Sequence, residues 1–102
     1  MSAPTTPSFA EFYPYYLNEH RQRGTRVLHF IGTTLFLVAL VLAVAWGRPG
    51  LVLAGIAAAY GCAWVGHFFV EHNRPATFKH PWLSLRGDFQ LFWDLLRGRE
   101  KF

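Results

Sequence analysis

Two stretches of this chain, residues 27–46 (VLHFIGTTLFLVALVLAVAW) and 51–70 (LVLAGIAAAYGCAWVGHFFV), each run for twenty residues without an Asp, Glu, Lys or Arg. Only Gly47-Arg48-Pro49-Gly50 separates them. At a helical rise of about 1.5 Å per residue, each stretch spans roughly 30 Å, the thickness of a bilayer's hydrocarbon core. The connection is a strong turn signal and far too short to carry the chain back across that distance, so the helices must be antiparallel neighbours. The predicted fold is all-α: an integral membrane helical hairpin of two transmembrane helices with short interfacial helices at both ends, in a single domain over residues 1–102. Composition agrees. Hydrophobic residues make up 52% of the chain and charged residues 16%, and the apolar ones sit in two blocks rather than dispersed around a small soluble core.

The flanks set the orientation. Arg21, Arg23 and Arg26 precede the first span, and Arg74, Lys79, Arg86, Arg97, Arg99 and Lys101 follow the second, whereas the turn holds only Arg48. The positive-inside rule then places both termini in the cytoplasm, at the inner membrane of a bacterium or the endoplasmic reticulum of a eukaryote. The formal charge of +4 does not point to nucleic acid, because no basic stripe runs along a polar helix; arginines beside apolar segments are lipid contacts. Residues 1–8 carry no positive charge ahead of a hydrophobic run, so no secretory signal is expected, and the first span serves as the insertion signal. Cys62 is the one cysteine, which excludes an intramolecular disulfide and a CxxC zinc site.

Outside the spans, Ser8 and Glu11 have capping-box spacing. Pro14 is expected to interrupt the helix, with a new one running from Tyr15 to Arg23 and Gly24 as its stop. Phe9, Phe12, Tyr13, Tyr15 and Tyr16 form an aromatic cluster suited to a membrane interface. Residues 71–102 begin with a polar stretch and end with an amphipathic segment, Asp88 to Leu96, too short to span and so expected on the cytoplasmic interface. In the second span, Ala54, Ala58, Cys62 and Gly66 form a small-residue ridge beside Gly55, Ala59 and Ala63. Such a ridge lets helices approach closely, within the hairpin or in a homo-oligomer.

The five histidines carry the chemistry. His29 lies near the start of the first span and His67 near the end of the second, about 29 and 28 Å from the middle of the turn. An antiparallel hairpin brings them to one depth, and His20, His72 and His80 lie outside the spans on the same side. Ionisable groups inside membrane segments are expensive and usually functional, and two histidines at matched depth with three nearby point to metal ligation. His67 and Glu71, four apart, share a helix face, and two histidines with a carboxylate leave coordination positions open for oxygen and substrate. His72 joins them only if the helix ends first. Tyr16, four residues before His20, is placed as a supporting partner. The histidine-rich clusters of membrane di-iron hydroxylases are absent, so a mononuclear centre is expected. Imidazole suits iron and zinc alike, and two other readings stay open: a non-enzymatic hairpin packing with partner membrane proteins, and a zinc-dependent hydrolase.

Three blocks of sequence, Tyr13-Pro14-Tyr15-Tyr16-Leu17-Asn18-Glu19-His20, His29-Phe30-Ile31-Gly32, and residues 66–78 (GHFFVEHNRPATF), together resemble the signature of a family of small membrane proteins long catalogued as a domain of unknown function. Its fungal member is an Fe(II)-dependent dioxygenase in the α-oxidation of 2-hydroxy fatty acids during phytosphingosine breakdown. The resemblance extends over roughly residues 9–89. It implies oxidative removal of one carbon from a long-chain 2-hydroxy acid or a related lipid, with Fe(II) as cofactor and O₂ as co-substrate. It also implies His20, His29 and His67 as metal ligands, with Glu71 and Asn73 as a fourth ligand or supporting groups. His72 falls where the family commonly has lysine and His80 where it accepts tyrosine, so both rank below the other three. Arg74 or Lys79 is placed to pair with the substrate carboxylate. The acyl chain is expected among the hydrophobic helices, with its head at the cytoplasmic interface.

Overall fold

The computed structural model describes residues 6–102. All of its regular structure is helical: α1 (Phe9–Glu19), α2 (Arg23–Ala45) and α3 (Gly50–Val65), a π-helical continuation of α3 over Gly66–Glu71, a 3₁₀ turn at Ala76–Phe78, and α4 (Pro81–Leu96).

The capping box at the start of α1 forms as its spacing predicts. Ser8 Oγ accepts from the Glu11 N–H at 3.2 Å, and the Glu11 carboxylate accepts from the Ser8 N–H at 3.2 Å. Pro14, however, lies inside α1 and does not divide it. The hydrogen bond it forfeits is to the carbonyl of Ala10, in the exposed first turn, where solvent can satisfy that oxygen. Gly24 likewise does not stop a helix; it sits in the first turn of α2. The chain instead turns at His20, whose carbonyl accepts from Arg26 Nε at 2.7 Å. The terminus is thereby capped by a cation rather than by a glycine.

The two long helices pair as a hairpin. Arg23–Ala45 and Gly50–Glu71 have mean hydropathies of 2.5 and 1.6, and both are long and apolar enough to cross a membrane. Gly47, at φ +61°, takes the left-handed conformation that ends α2 and lets Arg48 N–H reach the Ala43 carbonyl at 2.9 Å,. The contact ridge differs from the four-residue ladder expected from sequence. A Cβ added to Gly55 would meet Ala39 Cβ at 2.7 Å, one on Gly32 would meet Cys62 Cβ at 3.1 Å and Ala59 Cα at 3.2 Å, and one on Gly66 would meet Thr25 Cγ2 at 3.1 Å. The α3 seam is thus 55-59-62-66. It alternates steps of four and three, as a helix must to keep one face on a neighbour, while Ala54 points outward,. The opposite faces of the hairpin carry exposed Val41, Val44, Leu53 and Phe69, an apolar surface of the kind a bilayer would cover.

α4 is longer than expected, beginning at Pro81 rather than Asp88. Proline at the first helical position loses no bond and brings the right φ. One face, with Ser84, Gly87, Leu91, Asp94 and Leu95, is buried. Leu91 and Leu95 join Phe12, Tyr16 and Ala76 in a small core that ties α4 to α1. The other face presents Trp82, Leu85, Phe89, Trp93 and Leu96, all exposed and at helical spacing, which suits a helix lying against lipid. The C-terminal tail is fastened by Arg26, 3.0 Å from the Glu100 carboxylate and 2.7 Å from the Lys101 carbonyl.

Candidate metal centre

Three helical segments each deliver one histidine to a single point. His20 caps α1, His29 lies in the second turn of α2, and His67 sits in the π-helical segment. They are 1%, 6% and 3% exposed. Ring centroids are 4.3 Å apart for His20 and His29, 4.4 Å for His20 and His67, and 5.5 Å for His29 and His67. One nitrogen from each ring lies within 4.8 Å of the other two. The depth match between His29 and His67 inferred from helix lengths therefore holds, and His20 folds back over both.

The Nδ1 side of every ring faces a protein group. His20 Nδ1 donates to the Tyr16 carbonyl at 2.7 Å, His67 Nδ1 is 2.7 Å from Asn73 Oδ1, and His29 Nδ1 is 3.5 Å from Asp88 Oδ1. Nε2 is the nitrogen left over on each, and on His20 and His29 it is buried without any partner. Unpaired buried imidazole nitrogens are costly, and two of them on rings that converge with a third are explained by a cation between the three. Burial, reinforced by the neighbouring His29 and His67, holds His20 far below the usual imidazole range, at about 2. The neutral ring this implies is the metal-binding form. The histidines, with Tyr16, Ser84 and Asp88 among others, line a cavity of about 10 Å³, room for one water-sized body. The residues present fit a single metal ion.

The π-helical turn positions the third ring. Single π turns inside α-helices recur at functional sites. This one ends at His72, which adopts φ +60°, so that the Asn73 N–H closes back on the His67 carbonyl at 2.8 Å. That closure carries the Asn73 side chain beneath the His67 ring. The Asn73 amide also donates to the Glu19 carbonyl at 3.0 Å and to the Glu19 carboxylate, so one side chain locks the end of α1 to the end of the second span.

The other residues singled out from sequence fall in different places. Tyr16 stacks on His20 with centroids 4.0 Å apart. It supports that ring through its backbone carbonyl, while its hydroxyl donates to Asp88 at 2.5 Å. Glu71 is not brought to the histidines. Its carboxylate accepts from the Gln22 N–H at 2.6 Å and Thr25 Oγ1 at 2.7 Å, capping the positive N-terminus of α2, which has no side-chain cap of its own,. His72 is exposed, and His80 turns its ring edge-on to Phe12 at 5.6 Å. Arg74 and Lys79 are exposed and line neither cavity.

Asp88 is the site residue that sequence reasoning passed over as the start of an amphipathic helix. Its side chain is 26% exposed, but that part faces the cavities it lines. Desolvation there raises its carboxyl to about 6, against the opposing pull of the Tyr16 hydrogen bond. The available signal was its place on one helix face with Ser84, Leu91 and Leu95, where a carboxylate needs a reason to be. Ser84 also contributes a buried Oγ with no partner.

Comparison with curated proteins and with solved structures gives no match. A scan against family profiles does, over residues 6–100. With nearly its whole length covered, the chain belongs to the family described as 2-hydroxy-palmitic acid dioxygenase Mpo1-like.

Proposed function

We propose that the protein is an Fe(II)-dependent dioxygenase that shortens long-chain 2-hydroxy fatty acids by one carbon at the cytoplasmic face of a membrane, with both termini on that side. The observation that carries the reading is the convergence of three buried imidazoles whose Nδ1 atoms face protein groups, with Nε2 of His20 and His29 buried and unpartnered. His20, His29 and His67 would hold the iron through Nε2. Ferrous iron, when bound to such an open set, supplies the activation of O₂ and a position for a chelating oxygen ligand.

The chain's own groups prepare the site for that chemistry. The Tyr16 carbonyl, Asn73 Oδ1 and Asp88 Oδ1 fix the three rings in the tautomer that presents Nε2 and stop them from turning away. Asp88 and Ser84 place two polar groups beside the rings, suited to the hydroxyl and carboxyl of a 2-hydroxy acid. The raised Asp88 carboxyl can take or return a proton near neutral pH, with the Tyr16 hydroxyl donating to it. Burial by α1 and α4 keeps bulk water from the rings. Arg74 and Lys79, on the polar loop, draw the anionic head to this side of the membrane without belonging to the site.

Metal analysis tests the proposal. Detergent-purified protein, prepared anaerobically with iron, is compared with the His20→Ala/His29→Ala/His67→Ala variant. About one iron per chain, absent from the variant, followed by oxygen consumption with 2-hydroxypalmitate, is the expected result. A folded protein that takes no metal would refute the reading. Zinc bound in place of iron, with no oxygen uptake after iron exchange, would move it to the hydrolases, since a three-histidine set with an open position also serves catalytic zinc.

A further inference from the structure

Beside the histidines lies a second cavity of about 380 Å³. It exists because α4 packs on α2, α1 and the 3₁₀ turn rather than on α3, which leaves a cleft between α3 and α4 with α2 as its floor. The walls are mostly apolar, Phe36, Ile56, Ala59, Ala63 and Phe89 with the hydroxyl residues Thr33 and Tyr60, and the imidazole and carboxylate lie at one end, where His29 and Asp88 belong to both cavities. From that end the cleft runs to Phe36, seven residues further along α2, or about 10 Å. The lining ends at Phe36 on α2 and Ile56 on α3, the wall residues furthest along those helices from the histidines. The mouth opens sideways: Ile56, Tyr60, Leu85 and Phe89 on its rims are each 38–42% exposed and continue the apolar outer surface.

Resting on the function proposed above, we infer that this cleft is the acyl-chain site, and that one saturated chain slides into it from the bilayer between α3 and α4. Its head group meets His29 and Asp88 at the polar end. The volume falls within the range of ligand pockets, and at roughly 1.25 Å per carbon an extended chain places about eight carbons along the cleft. A two-chain lipid is too large, and a water-soluble substrate would not use a mouth that faces hydrocarbon. Ala59 and Ala63 keep the α3 wall thin, so they set the length of chain admitted.

The test uses the full chain in nanodiscs, stripped of metal with EDTA, so that its outcome does not depend on iron. The probe is a 2-hydroxy fatty acid carrying a mid-chain diazirine; cross-links are mapped by mass spectrometry. The expected result is labelling concentrated on the segments around Phe36 and Ile56–Ala63 and suppressed at least fivefold by 2-hydroxypalmitate. Competitors should strengthen with length up to about eight carbons and then level off. Ala59→Leu should bring that plateau several carbons earlier, and Ile56→Ala, on the exposed rim, should weaken the length limit. Labelling spread over Val41, Val44, Leu53 and Phe69 and indifferent to competitor would mean annular lipid, and would overturn the inference. So would an Ala59→Leu protein that melts like the parent and keeps its plateau; if that variant does not fold, the competition result in the parent decides. Focused, competed labelling in a protein that fails the metal analysis would keep the acyl site and discard the dioxygenase.

Discussion

Replacing Gly87 by alanine should damage the candidate metal centre from a position that touches no histidine. A Cβ at residue 87 would lie 2.8 Å from Tyr16 Cδ2, 2.9 Å from Cε2 and 3.2 Å from Cγ. Carbon atoms pack at about 3.5–4.0 Å, so the Tyr16 ring would have to retreat by roughly 0.5–1 Å. It has little freedom to do so. The side chain is 1% exposed, its ring is stacked on His20, and its hydroxyl is tied to Asp88 at 2.5 Å. Any retreat therefore either disturbs the His20 ring or stretches the bond that holds Asp88 beside His29. Overpacking of this kind costs about 1–3 kcal/mol, and disturbing groups that orient metal ligands typically lowers metal affinity by about 10–100-fold. The assay is thermal unfolding of the detergent-solubilised protein with and without metal, with a competitive Fe(II) titration. Gly61→Ala is the matched control: it is also inside a helix, but a Cβ there meets nothing within 4 Å, so it should gain about 0.5–1 kcal/mol. If Gly87→Ala melts no lower than the parent and binds iron as tightly, Tyr16 does not transmit packing to the site and the reasoning is wrong.

Other outcomes follow from the same geometry. His20 has its folded pKa depressed to about 2 from 6.5, so below pH 6.5 the unfolded chain binds the extra proton and stability falls with pH. At about 1.4 kcal/mol per unit below the unfolded pKa, the metal-free protein should lose roughly 2 kcal/mol between pH 6.5 and 4.5; a melting temperature unchanged over that interval would contradict a buried neutral His20. Asp88→Ala removes the acceptor facing His29 Nδ1 and leaves the Tyr16 hydroxyl without its partner, so iron affinity should fall by about 10–100-fold. Asp88→Asn, which keeps an oxygen acceptor, should recover part of it in the same titration, and equal affinity in all three proteins would remove Asp88 from the site.

The hairpin was legible in the sequence because hydrocarbon is an uncompromising solvent. Twenty uncharged residues, a four-residue turn and twenty more admit few other arrangements, and the matched depth of His29 and His67 follows from counting residues along two straight helices. The capping box at Ser8 and Glu11 was equally local, and so equally readable. The centre itself was not decided along the chain. An i to i+4 rule pairs His67 with Glu71, but the π turn at Gly66–Glu71 changes the phase. Glu71 then caps α2 while Asn73, six residues on, comes to lie under His67. Pro14 does not divide α1 because its lost bond falls on an exposed carbonyl, and α4 extends back beyond Asp88 because Pro81 opens it at the first helical position,. Asp88 is 59 residues from His29; only the docking of α4 against α1 and α2 brings it to the rings, and only the gap that docking leaves along α3 creates the acyl-sized cleft. Residue type and local spacing determined the helices, their membrane length and the histidines available to a metal. Tertiary packing decided which side chains meet at that centre, because the partners that orient each ring come from elements far apart in the chain.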